Sequence, residues 1–287
     1  MATTEFEDLR YEVADHIATI TFARPDVLNA FRAATMREFL AALDRADDDD
    51  DIRTIVVTGD GRAFCAGADI SGGARAFTPT ESQERKEPAR DGGGILALRV
   101  HALQKPIIAA VNGPSVGMGA TMTLPMDLRL ASVNARFAFP FTRRGIIPEG
   151  CSSWFLPRVV GIGAASDWML TGRLVEVEEA LAAGLVRSVH EPDDLLPAAY
   201  SVARDISDRT APVSASMTRQ LLQRMLTAPD PMVAHLAESR GLAGRSRSDD
   251  AREGVRSFLE KRAPNFPDRV SDVTVDLFAD DPNQSDA

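Results

Sequence analysis

The chain has 287 residues, 44% hydrophobic and 26% charged, which excludes a wholly disordered polypeptide and fits one or two globular domains. With 42 acidic against 32 basic residues the net charge is −10, which repels a phosphate backbone and disfavours general nucleic-acid binding. Two cysteines, Cys65 and Cys151, are too few for a disulfide framework or a cysteine-rich metal site, so a reducing cytoplasm is expected.

The first eight residues lack a basic start and an apolar core, so no signal peptide is expected. No apolar run approaches the roughly 20 residues of a membrane span. Leu9, Tyr11 and Val13, then Ile17, Thr19 and Thr21, alternate as two short strands joined through Ala14–His16. Met36, Phe39, Leu40 and Leu43 recur at helical spacing and make one buried stripe. The aspartates Asp47–Asp51 that follow read as a solvated turn rather than a metal site. Thr54–Thr58 is apolar and β-branched, the pattern of a buried parallel strand.

From Gly72 to Gly94 the chain is polar and broken by glycine and proline, which predicts a mobile loop over a site. Arg99 to Gln104 ends a helix, and Pro106–Val111 is a second buried strand. Strand, helix and strand at this spacing argue for α/β packing. From about Glu176 the pattern is helical. Leu195, Ala199, Ala203 and Ile206 form one apolar face, and Val213, Met217, Leu221, Leu222, Met225 and Leu226 form a wide second one. Such faces need cover from the rest of the chain or from another subunit. The acidic stretch 266–287 reads as a peripheral or frayed extension.

Gly117-Met118-Gly119 follows a strand and opens a helix, the setting of a dinucleotide fingerprint, but Met122 stands in place of the third glycine. What remains is a glycine-bearing turn whose free N–H groups can bind a negative oxygen. A second strand-to-helix turn lies at Phe64–Ile70. Two such turns in one α/β domain can aim two N–H donors at one oxygen, forming an oxyanion hole.

The segments Phe64-Cys65-Ala66-Gly67-Ala68-Asp69-Ile70, Lys105–Gly113 and Gly117-Met118-Gly119 resemble the crotonase (enoyl-CoA hydratase/isomerase) superfamily. Ala23-Arg24-Pro25, Asn29-Ala30-Phe31, Leu170–Arg173, Ala180–Val186 and Phe258–Arg262 fit it too, so the resemblance covers residues 10 to about 265. It implies an α/β, ClpP-like spiral of ββα turns with a helical C-terminal region. The expected division is a spiral core over 1–195 with the acyl-CoA site, a helical trimerisation region over 196–265 and the acidic tail over 266–287. It also implies a homotrimer or dimer of trimers, with coenzyme A entering as part of the substrate thioester and no separate cofactor.

Carried over residue by residue, the resemblance gives the N–H groups of Ala68 and Met118 the thioester oxygen, with Gly117, Asp69 and Ile70 in the same turns. The turn at Ala66 receives the adenine. Arg24, Phe258 and Lys261 line the nucleotide phosphates, the last two from a neighbouring subunit. Hydratases of the superfamily work with two glutamates, and the matching positions here hold Thr121 and Phe141. Neither can act as a carboxylate base.

Glu149 is the remaining candidate, set between Pro148 and Gly150 and near Ile146, Ile147, Phe141 and Trp154. Apolar neighbours raise a carboxylate's pKa towards that of a useful base. By itself the residue reads more readily as a cap of the helix beginning near Cys151, where its charge suits the dipole. Pro148-Glu149-Gly150-Cys151-Ser152-Ser153 resembles the peroxisomal type of 3-enoyl-CoA to 2-enoyl-CoA isomerase, which implies that Glu149 shuttles the proton. His16, His101, His190 and His235 lack ligand spacing, so no metal is expected. The two cysteines read as packing residues, Ser152 and Ser153 as helix-start residues, and Thr121 as helix packing.

Overall fold

The computed structural model describes residues 6–71, 73, 90–273 and 275–279. In chain order the strands are Leu9–Ala14 (β1), Ile17–Phe22 (β2), Thr54–Gly59 (β3), Ile107–Val111 (β4), Ser115–Val116 (β5), Leu128–Ser132 (β6), Arg136–Ala138 (β7), Leu174–Glu176 (β8) and Ser188–His190 (β9). The helices are Ala33–Asp48 (α1), Gly92–His101 (α2), Met118–Thr121 (α3), Ser152–Thr171 (α4), Val177–Ala182 (α5), Pro192–Arg209 (α6), Pro212–Met225 (α7), Pro231–Arg245 (α8) and Asp249–Glu260 (α9).

A six-stranded sheet runs β1-β2-β3-β4-β6-β9, antiparallel between β1 and β2 and parallel thereafter. Its central strands are apolar along their whole length because both faces are covered. Ile55, Val57, Ile107, Ala109 and Val111 face the core shared with Phe39, Leu43, Leu96 and Val100 of α1 and α2. The alternate residues Val56, Ile108 and Ala110 face Leu195, Ala199 and Ala203 of α6. The stripe read from Met36, Phe39, Leu40 and Leu43 is the buried face of α1, with Phe39 and Leu43 at its centre.

A second, three-stranded sheet runs β5-β7-β8. Consecutive strand pairs, β4 with β5 and β6 with β7, give one strand to each sheet before the chain turns into a helix. Isolated bridges from Phe31 to Ala68 and from Cys65 to Ser115 continue this second layer towards the N-terminal half. The layer brings the turn after β3 beside the turn after β5.

Four readings are corrected. The segment Gly72–Gly94 is not loop to its end. Asp91 caps α2, whose first residues are the glycines at 92–94, and residues 74–89 lie outside the described ones. The expected boundary at 195/196 falls inside α6, which packs on the large sheet. The acidic tail is partly built in, since Leu277 and Phe278 are buried against Val213, Met217 and Ala237 of α7 and α8. The aspartate run is not a free turn either. Asp47 accepts from Arg99 at 3.1 Å and from the Gln104 N–H at 3.0 Å, and Asp50 accepts from Ser271. Lys105, buried, donates to the carbonyls of Ala46 (2.7 Å) and Asp49 at the end of α1. The wide face of α7 is only half covered, with Leu222 and Leu226 exposed.

Candidate active site

The two turns meet as the sequence suggests. The Val116 N–H donates to the Cys65 carbonyl at 3.0 Å, and the Cys65 N–H to the Pro114 carbonyl at 3.2 Å. Gly67 sits at φ +97°, and a Cβ there would stand 2.8 Å from the Val116 carbonyl oxygen. Only glycine permits both the conformation and the approach. Gly117, at φ +54°, donates its N–H to Ala138 at 2.9 Å and leaves Met118 as the first residue of α3. Among the described residues no backbone carbonyl or side chain accepts from the N–H of Ala68 or Met118. Ala66 is fixed by an N–H bond to Leu28 (3.0 Å).

Glu149 hangs between the short helical turn Thr142–Arg144 and α4. Gly150 (φ +64°) and Cys151 (φ +53°) both take left-handed conformations before α4 begins. Its carboxylate does not cap that helix: the cap residue is Cys151, and no side chain there bonds the helix N–H groups. Ser152 instead ties the turn, its hydroxyl donating to the Glu149 carbonyl at 2.6 Å. The carboxylate turns inward. Thr121, fully buried on α3, donates its hydroxyl to Glu149 Oε1 at 2.6 Å. A Cβ at Gly150 would stand 2.9 Å from that same Thr121 oxygen.

On the other side lies the start of α2. A Cβ added to Gly93 would fall 1.5 Å from Glu149 Oε2 and 3.2 Å from Asp91 Oδ1, so both carboxylates border one glycine. Asp91 Oδ1 accepts from the Gly94 N–H at 2.6 Å and from the Gly150 N–H at 3.4 Å. Burial pushes Glu149 up to about 7, against the Thr121 hydrogen bond and with help from the nearby Asp91 charge. A carboxyl poised there can both take and return a proton near neutrality. Cys65, wholly buried, is pushed up to about 12, which leaves its thiol protonated and unreactive.

The predicted shell around Glu149 is only partly assembled. Phe141 is buried and Ile146 packs on the core, but Ile147 is 83% exposed and shields nothing. Trp154 packs against His101 and Phe155, with the Arg158 guanidinium 4.0 Å above its ring. Arg24 is drawn into the fold, ion-paired with Asp69 at 3.1 Å and Asp8 at 3.6 Å, and it donates to the Ala30 carbonyl at 2.5 Å. Its charge is therefore largely answered before any phosphate arrives. Asp69, bonded by Ser71 and Arg24, is held below the usual carboxylate range, and Ile70 beside it is exposed. Phe258, 81% exposed, and Lys261 end α9 and share no hydrogen bond with the Glu149 cluster. A separate cavity of about 620 Å³, lined by Phe155, Arg158, Arg219 and Leu222 among others, does not include Glu149.

Sequence reasoning missed Thr121 as the partner of Glu149, and missed Asp91 and Gly93 altogether. The signal for Asp91 was present: an N-cap residue before Gly92-Gly93-Gly94 and the apolar Ile95-Leu96 marks a helix start. Among the described residues no helix is long and apolar enough to cross a membrane, and no three metal-ligating side chains cluster.

The chain is similar to known proteins over most of its length. The model of the enoyl-CoA hydratase/isomerase family matches residues 12–269. The chain is 43% identical over 258 residues to an enoyl-CoA hydratase of Alternaria alternata, covering 90% of this chain and 85% of the relative. It is 34% identical to the 1,2-epoxyphenylacetyl-CoA isomerase of Escherichia coli, covering 87% of this chain and 94% of that one. Its fold is similar to the crystal structure of an enoyl-CoA hydratase from Bacillus anthracis, with a TM-score of 0.84 and 29% identity over 91% of this chain and 99% of that one.

Proposed function

The chain belongs to the enoyl-CoA hydratase/isomerase family and has the crotonase fold, and from that premise we propose that it isomerises a 3-enoyl-CoA to a 2-enoyl-CoA with Glu149 as its one base. The observation that carries this reading is the inward-facing Glu149 carboxyl, hydrogen-bonded by Thr121 and pushed up to about 7 by burial. Glu149 removes a proton from the α carbon of the thioester. The electrons of that C–H bond form a double bond between the α carbon and the thioester carbon while the carbonyl pair moves to oxygen. The β,γ double bond is kept, and the negative oxygen of this dienolate receives the N–H groups of Ala68 and Met118. Each such donor stabilises the transition state by about 3 kcal/mol. Glu149 then returns the proton to the γ carbon and the carbonyl re-forms. One proton leaves the α carbon and one arrives at the γ carbon, so the reaction needs no cofactor besides the coenzyme A carried by the substrate.

Assembly into a homotrimer or a dimer of trimers, and a cytoplasmic setting in which Cys65 and Cys151 stay free, belong to the same reading. Val255, Phe258 and Leu259 on α9 are exposed apolar residues that a neighbouring subunit would cover.

A second reading is hydration of a 2-enoyl-CoA, favoured by the naming of the Alternaria alternata relative as an enoyl-CoA hydratase. Two measurements separate them. Glu149→Gln loses at least a hundredfold in turnover of 3-enoyl-CoA with little change in ester binding; unchanged turnover sinks the proposal. Rapid loss of the conjugated thioester absorbance of crotonyl-CoA supports hydration, and a steady absorbance supports isomerisation.

A further inference from the structure

Glu149 is half-buried, its carboxyl turned in against Thr121 and the α2 glycines, whereas Asp91 lies across Gly93 and is exposed. One Asp91 oxygen is fixed by the Gly94 and Gly150 N–H groups, which lock the carboxylate between the start of α2 and the turn that carries Glu149. The other oxygen, Oδ2, has no hydrogen-bond partner among the described residues. Capping α2 accounts for the Gly94 bond but not for the Gly150 bond, which ties Asp91 to the turn that carries the Glu149 carboxyl.

We propose that Asp91 is the relay through which the buried Glu149 carboxyl exchanges its proton with solvent. The inference rests on the reading of Glu149 as the base. The step is a proton transfer alone: protonated Glu149 gives its proton through one water to the Asp91 carboxylate, leaving Glu149 ionised and Asp91 neutral, and Asp91 releases it to bulk water. The Asp91 charge adds to burial in favouring the protonated form of Glu149. Asp91 acts through Glu149 and is a positioning residue, not a catalytic one. Its effect is on the fate of the shuttled proton. Direct return to the γ carbon competes with escape through Asp91.

The test is turnover of a 3-enoyl-CoA in heavy water, with deuterium at the γ carbon of the product measured by mass spectrometry. Asp91→Asn keeps a good N-cap side chain and so preserves α2 and Gly93. Wild type should place solvent deuterium at the γ carbon. Asp91→Asn should turn over within a few-fold of wild type while its deuterium content falls at least threefold, and Asp91→Glu should restore it. Deuterium wash-in at the α carbon of butyryl-CoA reads the same relay without isomerisation and should slow in Asp91→Asn. Unchanged labelling in Asp91→Asn overturns the relay, as does a wild type that incorporates no solvent deuterium into either ester. Loss of turnover in a folded Asp91→Asn overturns it in favour of direct contact with substrate. Failure of the underlying reading looks different: Glu149→Gln would keep both turnover and wash-in.

Discussion

Glu149, the proposed base, illustrates how a half-buried carboxyl weakens the fold that holds it. Folded, its carboxyl keeps a proton up to about pH 7, against an ordinary value of 4.5. Between these values the folded state binds more protons than the unfolded one, so stability falls as pH rises through that window and stays low above it. Glu149→Gln is therefore expected to be more stable than wild type by about 2 kcal/mol above pH 7 and nearly equal to it below pH 4.5, as read by urea unfolding at several pH values. The rate carries the opposite dependence, because only ionised Glu149 accepts a proton. kcat/KM should rise with pH and level off above about 7, the pKa in question being that of the free enzyme. At this scale the sequence was informative wherever a role is local. Glycines at 67, 117 and 150 announced sharp turns, and Glu149 stood out between Pro148 and Gly150. Asp91, Gly93 and the Thr121 hydroxyl were hidden because their roles arise from contacts between α2, α3 and the α4 turn, which no local pattern encodes.

At the level of elements, the parallel sheet could be read directly. Thr54–Thr58 and Ile107–Val111 are apolar on both faces because α1 and α2 cover one and α6 the other. The end of α1 was misread because the partner of its aspartates lies far along the chain. Lys105, just before β4, places its ammonium on the last carbonyls of α1, where the helix dipole is negative. Asp47, Asp48, Asp49 and Asp50 offset the burial that would otherwise drive its pKa further down. Lys105→Met removes the ammonium from the Ala46 and Asp49 carbonyls and takes one cation from beside the acidic run, and should cost roughly 2 kcal/mol or more in unfolding free energy. Loss of less than 0.5 kcal/mol in a denaturation series would show that α1 does not depend on this contact.

For the molecule as a whole, the proposed trimer gives the exposed apolar face of α9 its purpose. Phe258, Val255 and Leu259 stand 81%, 63% and 73% exposed on a helix whose opposite side is anchored by the Asp250–Arg245 pair. Phe258→Glu should shift sedimentation towards smaller species and weaken binding of coenzyme A esters without loss of helix content. An unchanged sedimentation profile would place the subunit contact elsewhere. The apolar spacing of the C-terminal helices was legible, and their need for cover with it. The docking of Leu277 and Phe278 onto α7 and α8 was not, because two apolar residues in an acidic tail carry no period.

Gly93 also has an evolutionary consequence. Every single-base change at a glycine codon that alters the residue adds a Cβ or ends the chain, and at this position a Cβ would occupy the space of Glu149 Oε2. Its neighbour Gly92 faces only the flexible end of Met36, so lineages can drift there at small cost. Descendants that keep the chemistry must therefore keep Gly93, while one that gives it up is freed at a stroke to lose Glu149 as well and to become a binding protein on the same scaffold.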